Sequence, residues 1–236
     1  MMPSFLKAIK SQVGRKYITG ITGMGLMIFI IEHLYGNLLL FADSQAFNMY
    51  TYDLEQMGWL LYVAEAGLAL FFIYHIYLGI SIYLNRRKAR PKGYSKYKSQ
   101  GKPSHQTISA KTMIFTGIVL LIFLVIHLNT FKFGNTKMIP VPGHPGQQMQ
   151  DMKSLVINTF QSPLYTFSYA LVMILLGFHL GHGFWSAFTS LSMKHKKFSK
   201  FIYTVGVIFA VVMAVGFLFI PVYIYATGGH GALISY

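Results

Sequence analysis

Five of the nine histidines fall inside long apolar runs: His33, His75, His127, His179 and His182. Ionisable side chains at membrane depth are costly and usually face a bundle interior, where they meet a partner or do chemistry. An imidazole there can ligate a metal, move a proton or hydrogen-bond to a neighbouring helix. Glu32 and Glu65 share those runs. His105, His144, His195 and His230 lie in polar loops or tails and read as solvated. The chain has no cysteine, which excludes thioether-attached haem, thiolate-held iron–sulfur clusters and disulfides. Any metal must therefore be held by histidine or oxygen ligands.

The elements that position these groups are legible from composition. The 236 residues are 54% hydrophobic and only 11% charged, well below the charge of ordinary soluble domains. Five windows are long enough to cross a hydrocarbon core of about 30 Å: residues 18–41, 59–84, 112–131, 164–188 and 201–225. Backbone groups in lipid must be satisfied internally, so the expected class is all-α, a single five-helix membrane bundle filling residues 1–236. The first span is too long for a signal-peptide core and lacks a small-residue cleavage site, so it is expected to be retained.

Seventeen of the twenty basic residues fall on one side of this arrangement. They lie before span one (Lys7, Lys10, Arg15, Lys16), between spans two and three (Arg86 to Lys111) and between spans four and five (Lys194, Lys196, Lys197, Lys200). Lys132, Lys137 and Lys153 fall on the other. The positive-inside rule then puts the N-terminus in the cytoplasm and the C-terminus outside. Topology thus accounts for the net charge of +14 without nucleic acid, although a basic inner face suits an acidic partner.

Depth sorts the histidines. Counted from the cytoplasmic end of each span, His33 and His127 lie 15 and 16 residues in, while His75 and His179 each lie 9 in. At about 1.5 Å per residue these depths are roughly 22–24 Å and roughly 14 Å. The result is two pairs at two levels about 10 Å apart, each drawn from non-consecutive helices. One intramembrane histidine alone reads as an interhelical hydrogen bond. Four at matched depths meet the requirement of two six-coordinate b haems, with one axial imidazole on either face of each. His182, three residues beyond His179, shares its helix face. It stands as the alternative fourth ligand, a propionate contact or a plain hydrogen-bonding residue.

Elsewhere, the N-terminal fifteen residues read as a basic interfacial lead-in. The first outer loop, with Asp43, Asp53 and Glu55, reads as a short surface helix, and the second, residues 132–163, as a cap on the outer end. GITGMG at residues 20–25 follows no strand, so it is no nucleotide fingerprint. Its small residues suit close approach by a helix or a flat cofactor. No internal repeat, low-complexity tract or second domain is expected.

SQVGRKYITGITG, EHLYGNLLLF, FFIYHIYLGI, FLVIHLNTF and GFHLGHGFWSAF, with one histidine on each of the first four helices, carry a resemblance. From about Ser11 to the end of span five the chain resembles the single-chain dihaem cytochrome b of succinate:quinone oxidoreductases, the b558 type of succinate dehydrogenases and fumarate reductases. The resemblance implies an outer, distal haem on His33 and His127 and an inner, proximal haem on His75 and His179. Gly183, four residues on, marks His179 as the family's fourth ligand. It further implies a flavoprotein with FAD and an iron–sulfur subunit at the cytoplasmic face of a bacterial inner membrane, with quinone, often menaquinone, as substrate. Nothing in the chain could oxidise succinate itself. Some fumarate reductases of this family carry a glutamate two residues before the fourth ligand; here that position is Gly177, which tilts the expectation towards succinate oxidation.

Quinone chemistry needs protons as well as electrons, so carboxylates near the outer haem are candidates. Glu65, level with that haem, comes first and Glu32 second; a cross-bundle hydrogen bond is the plainer reading of each. Desolvation would raise both pKa values unless the carboxylates are paired. Arg86, Arg87 and Lys194 are placed to meet haem propionates. Nitrate-reductase-type dihaem subunits concentrate their ligands on two helices, whereas span five here has no histidine. A proton-coupled transporter would show no chromophore and usually more spans or an internal repeat.

Overall fold

The structure is a computed structural model and describes residues 7, 11–89, 108–193 and 197–229. Most of the N-terminal lead-in and the inner loop, with Lys10, Arg90, Lys92, Lys96, Lys98, Lys102 and His105, lie outside these residues, as do Lys194, His195, Lys196 and His230.

The chain is all-α, and five of its helices are long and apolar enough to cross a membrane. They are α1 (Gln12–Leu38), α3 (Trp59–Ala89), α4 (Ile108–His127), α6 (Pro163–Ser190) and α7 (Ser199–Thr227), joined by shorter α2 (Ala46–Gln56) and α5 (Met152–Phe160). Each expected span falls within one of them or runs a few residues beyond. Span one continues through a 3-10 turn at Leu39–Phe41, and span three through a π turn at Leu128–Lys132. α3 runs on past its apolar stretch to Arg86, Arg87 and Lys88, whose charges complement the negative end of the helix dipole. Gly58, at φ +57°, turns the chain between α2 and α3, a conformation open to glycine without steric cost.

Large aliphatic side chains are exposed midway along the spans, among them Ile73 at 62%, Val125 at 63% and Val215 at 59%. In water such surfaces would associate; hydrocarbon solvates them and leaves no backbone group unsatisfied within a helix.

The chain divides into two compact units, and every long helix contributes to both. The first comprises residues 1–28, 68–118 and 178–211. In it, glycines let helices approach closely. A Cβ at Gly206 of α7 would lie 2.7 Å from the Phe184 ring of α6, and one at Gly20 of α1 would lie 3.3 Å from Leu191. Arg15 donates to Ser81 at 2.6 Å, and Tyr17 shares a 2.6 Å hydrogen bond with Ser192.

The second unit comprises residues 29–67, 119–177 and 212–236. Leu34 of α1, 6% exposed, packs into the space left by Gly216 of α7, where a Cβ would lie 2.7 Å away. The expected surface helix is α2. The second long loop folds into a hairpin, β1 (Met138–Pro140) antiparallel to β2 (Gln148–Gln150) with Ile139 opposite Met149, followed by α5. The hairpin and α5 pack on α2, α2 on the 3-10 turn that ends span one, and α5 on the π turn that ends span three. Phe47, Met149, Val156, Ile157 and Phe160 are buried there.

At the centre of that cap Asn48 is 2% exposed. Its Oδ1 accepts the Lys153 backbone N–H at 2.8 Å, and its Nδ2 donates to Asp151 Oδ1 at 3.1 Å. Asp151 also caps α5, accepting the Ser154 N–H at 3.1 Å. Burial opposes ionisation of Asp151, but the hydrogen bonds from Ser154 and Asn48 and the charge of Lys137 prevail and hold its carboxyl below the usual range. The Lys153 ammonium donates to the carbonyls of Ser44 at 3.2 Å and Asp43 at 3.4 Å. Burial lowers its pKa, and the nearby charges of Asp43 and Asp151 only partly offset that.

Candidate functional site: two histidine pairs

In the first unit His75 of α3 and His179 of α6 face one another, with ring centres 6.4 Å apart and planes at 66°. Each sits against a threonine–glycine dipeptide on a different helix. Thr22 Oγ1 of α1 lies 3.4 Å from His75 Nδ1, and Thr116 Oγ1 of α4 lies 3.1 Å from His179 Nδ1. The glycine that follows leaves room for the ring. A Cβ at Gly23 would stand 3.4 Å from His75 Cε1, and a Cβ at Gly117 would stand 3.4 Å from His179 Cε1. Both threonines are buried, at 5% and 2% exposure. His182, half-buried, makes no ring contact among the described residues, so the residue facing His75 is His179.

In the second unit His33 of α1 and His127 of α4 form the other pair, with centres 5.7 Å apart and planes at 84°. Each ring stacks on a phenylalanine one turn earlier in its own helix: Phe29 on His33 at 5.3 Å, Phe123 on His127 at 5.5 Å. Phe217 closes on His33 at 5.9 Å and Tyr169 on His127 at 6.2 Å. The Asn37 amide nitrogen lies 3.4 Å from His33 Nε2. Three polar side-chain atoms among the described residues of this unit are buried without a partner: Gln45 Oε1 beside α2, His127 Nδ1 and the Tyr169 hydroxyl. Buried polar atoms are nearly always satisfied, so each such atom needs a physical account.

These features fit a flat metal macrocycle. A metal–imidazole bond is about 2.0–2.1 Å and a ring centre lies about 1 Å beyond the nitrogen, so two axial imidazoles hold their centres roughly 6–6.5 Å apart. One pair stands at that separation and the other slightly inside it. The unpartnered Tyr169 hydroxyl would gain a partner from a polar-edged cofactor, and His127 Nδ1 would gain one as the ligating nitrogen itself. Among the described residues no group of three or more His, Asp or Glu could hold a bare metal ion. A haem iron asks the protein for only two ligands.

The carboxylates behave differently from one another. Glu65 pairs with Lys132 at the end of the π turn, both side chains being substantially exposed, at 38% and 45%. Glu32 is exposed on α1 and reaches no bundle interior. It stands close enough to α2 for its charge to add to the effect of burial in raising the Tyr50 pKa, with Tyr35 contributing less. Arg86 and Arg87 are exposed at the end of α3, with Arg87 over the Tyr83 ring.

The seats of His75 and His179 correct one expectation. The chain does carry a short repeat: T-G-x5-F-x3-H occurs at Thr22–His33 and again at Thr116–His127. Residues 22–34 and 116–128 agree at seven of thirteen positions. The shared spacing was the available signal, and it identifies Thr22, Thr116, Phe29 and Phe123 alongside the histidines. Tyr169 had no such signal, because one tyrosine in an apolar helix is unremarkable until its surroundings are known. No protein-family model, curated protein or solved structure matches the chain.

Proposed function

We propose that the chain is the membrane-anchor cytochrome b subunit of a succinate:quinone oxidoreductase, with two b haems held by His75 with His179 and by His33 with His127. The observation that carries the reading is the pairing of four intramembrane histidines at separations suited to bis-imidazole ligation, one pair in each compact unit.

The haem iron, when bound, supplies a one-electron couple, and with both axial positions filled it suits electron transfer rather than oxygen binding. The protein residues do the rest. Phe29 and Phe123 buttress the outer pair, and the apolar faces of the spans keep water from both. Glu65, exposed beside Lys132, is the first candidate to deliver or accept a proton at a quinone, and Glu32 the second. Lys132 pairs with the Glu65 carboxylate, and a quinone oxygen approaching the pair would compete with that carboxylate for the ammonium proton.

In this reading the chain lies in a bacterial cytoplasmic membrane, N-terminus inside. It receives electrons from an iron–sulfur subunit docked with an FAD flavoprotein on its basic face, and passes them to quinone, menaquinone by preference. Gly177 favours the succinate-oxidising direction. The test is the reduced-minus-oxidised visible spectrum of the purified chain, with haem quantified as the pyridine haemochromogen. Two low-spin b haems per chain are expected. A colourless protein from haem-replete cells would overturn the reading, and a single haem would mean that one pair does not ligate.

A further inference from the structure

The two histidines of the first unit each sit against a threonine hydroxyl, His75 also meeting the Thr19 backbone, and the hydroxyl protons reveal how they are held. Thr22 Oγ1 lies 2.9 Å from the Ile18 carbonyl and Thr116 Oγ1 lies 3.0 Å from the Met113 carbonyl, each one turn back in its own helix. A hydroxyl has one proton, and a carbonyl can only accept it. With that proton committed to the backbone, each hydroxyl oxygen is left to accept, and the hydrogen it accepts is the one on the imidazole Nδ1. His75 and His179 are thereby fixed as the Nδ1–H tautomer, with Nε2 as the free lone pair. The adjacent glycines lie against the rings: a Cβ at Gly23 or Gly117 would already stand in contact at 3.4 Å, so a side chain larger than alanine would crowd the ring. The other pair has no such seat. His127 Nδ1 has no partner, and the neighbour of His33 is an amide nitrogen 3.4 Å from Nε2.

We propose that Thr22 and Thr116 are positioning residues that select the ligating nitrogen of His75 and His179 and set the potential of the haem these two hold. The proposal rests on the dihaem reading above. An outer hydrogen bond that accepts the far N–H of a metal-bound imidazole makes the ligand more basic, and losing such a partner typically costs about 10–100-fold in metal affinity. A more basic ligand favours the ferric state, so removing either hydroxyl raises the midpoint potential of that haem. Thr116, at 3.1 Å, acts more strongly than Thr22, at 3.4 Å.

The experiment uses the full chain with Thr22→Val, Thr116→Val and the double variant, each beside its Thr→Ser counterpart. Redox titration and quantitative haem binding are read together with the 15N shifts of the imidazole nitrogens in haem-free protein. Valine variants are expected to raise the potential of one haem, weaken its binding about 10-fold or more, and shift imidazole protons from Nδ1 to Nε2; serine restores all three. Unchanged potentials and tautomers in the valine variants would overturn the proposal, and so would equal shifts of both haems, which would mark a packing effect. Should a valine variant fail to fold, the serine variant and a Thr→Ala variant bracket the hydroxyl in the same way. A wild-type chain that takes up no haem removes the dihaem reading itself. A wild-type chain with two haems and indifferent variants removes only this inference.

Discussion

Asn48→Leu is expected to loosen the cap and, with it, the pair His33 and His127. Leucine keeps the side-chain volume but removes both hydrogen bonds of a residue only 2% exposed. The Lys153 backbone N–H is left buried and unpaired, a loss of about 1–3 kcal/mol, and the bond to the Asp151 carboxylate contributes about 1.5–3 kcal/mol more. Because Asp151 keeps its bond from Ser154, the two losses overlap, and about 3 kcal/mol is the expected cost. The cap packs on the turns that end the two helices bearing His33 and His127, so the loss is local to that unit. Hydrogen exchange of the α5 amides reads it directly, since opening free energies differ from place to place within one protein. At tenfold per 1.4 kcal/mol, exchange should accelerate about 10²-fold. In haem-loaded protein the haem on His33 and His127 should dissociate faster while the other is unaffected. Acceleration of less than threefold would refute the claim that Asn48 is the hub, and equal acceleration throughout the first unit would refute its locality.

Single alanine substitutions should partition the haems by pair: His33→Ala or His127→Ala removes one low-spin b haem and leaves the other's spectrum, His75→Ala or His179→Ala does the converse, and His182→Ala retains both, each read by haem content per chain. The cap should also weaken in acid. The Asp151 carboxyl is held below its ordinary value, so its contribution is complete above the unfolded-state value near 4 and is lost as pH falls through the lower folded one. Asp151→Asn should flatten that acid dependence of α5 exchange.

The spans and the four paired histidines were legible because a helix in lipid is a ruler. Long apolar runs fix where it starts and stops, and a constant rise turns residue number into depth. That is why pairing by depth brought together His33 with His127 and His75 with His179 without knowledge of any contact. Rotation about the helix axis is harder to read than depth, and the missed features depend on it. The repeated spacing singles out Thr22 and Thr116, but their role shows only when each hydroxyl is seen against an imidazole on another helix. The Glu65–Lys132 pair depended on the π turn, which carries span three one residue past its expected end. The Asn48–Asp151 contact joins two loops 103 residues apart, where no periodicity operates.

Rotation also separates Glu32 from His33. Adjacent helical residues point about 100° apart. His33 is turned towards His127 and Leu34 towards Gly216, and Glu32 is left on the outer surface of α1. It could not share the face that holds His33, and it does not cross the bundle either. A carboxylate exposed on a membrane-spanning helix is unfavourable in hydrocarbon. Tyr35, one turn on, and Tyr50 of α2 meet edge to face at 6.4 Å, and Gly36 lets the Tyr50 ring lie against α1. Burial first, and then the charges of Glu32 and Tyr35, raise the Tyr50 pKa above its ordinary value. Glu32 is therefore a surface group of the second unit, accessible from the lipid side, whereas Glu65 is tied to a lysine. Any proton exchange with a lipid-soluble substrate at Glu32 would take place on the outside of the helix whose inner face carries His33.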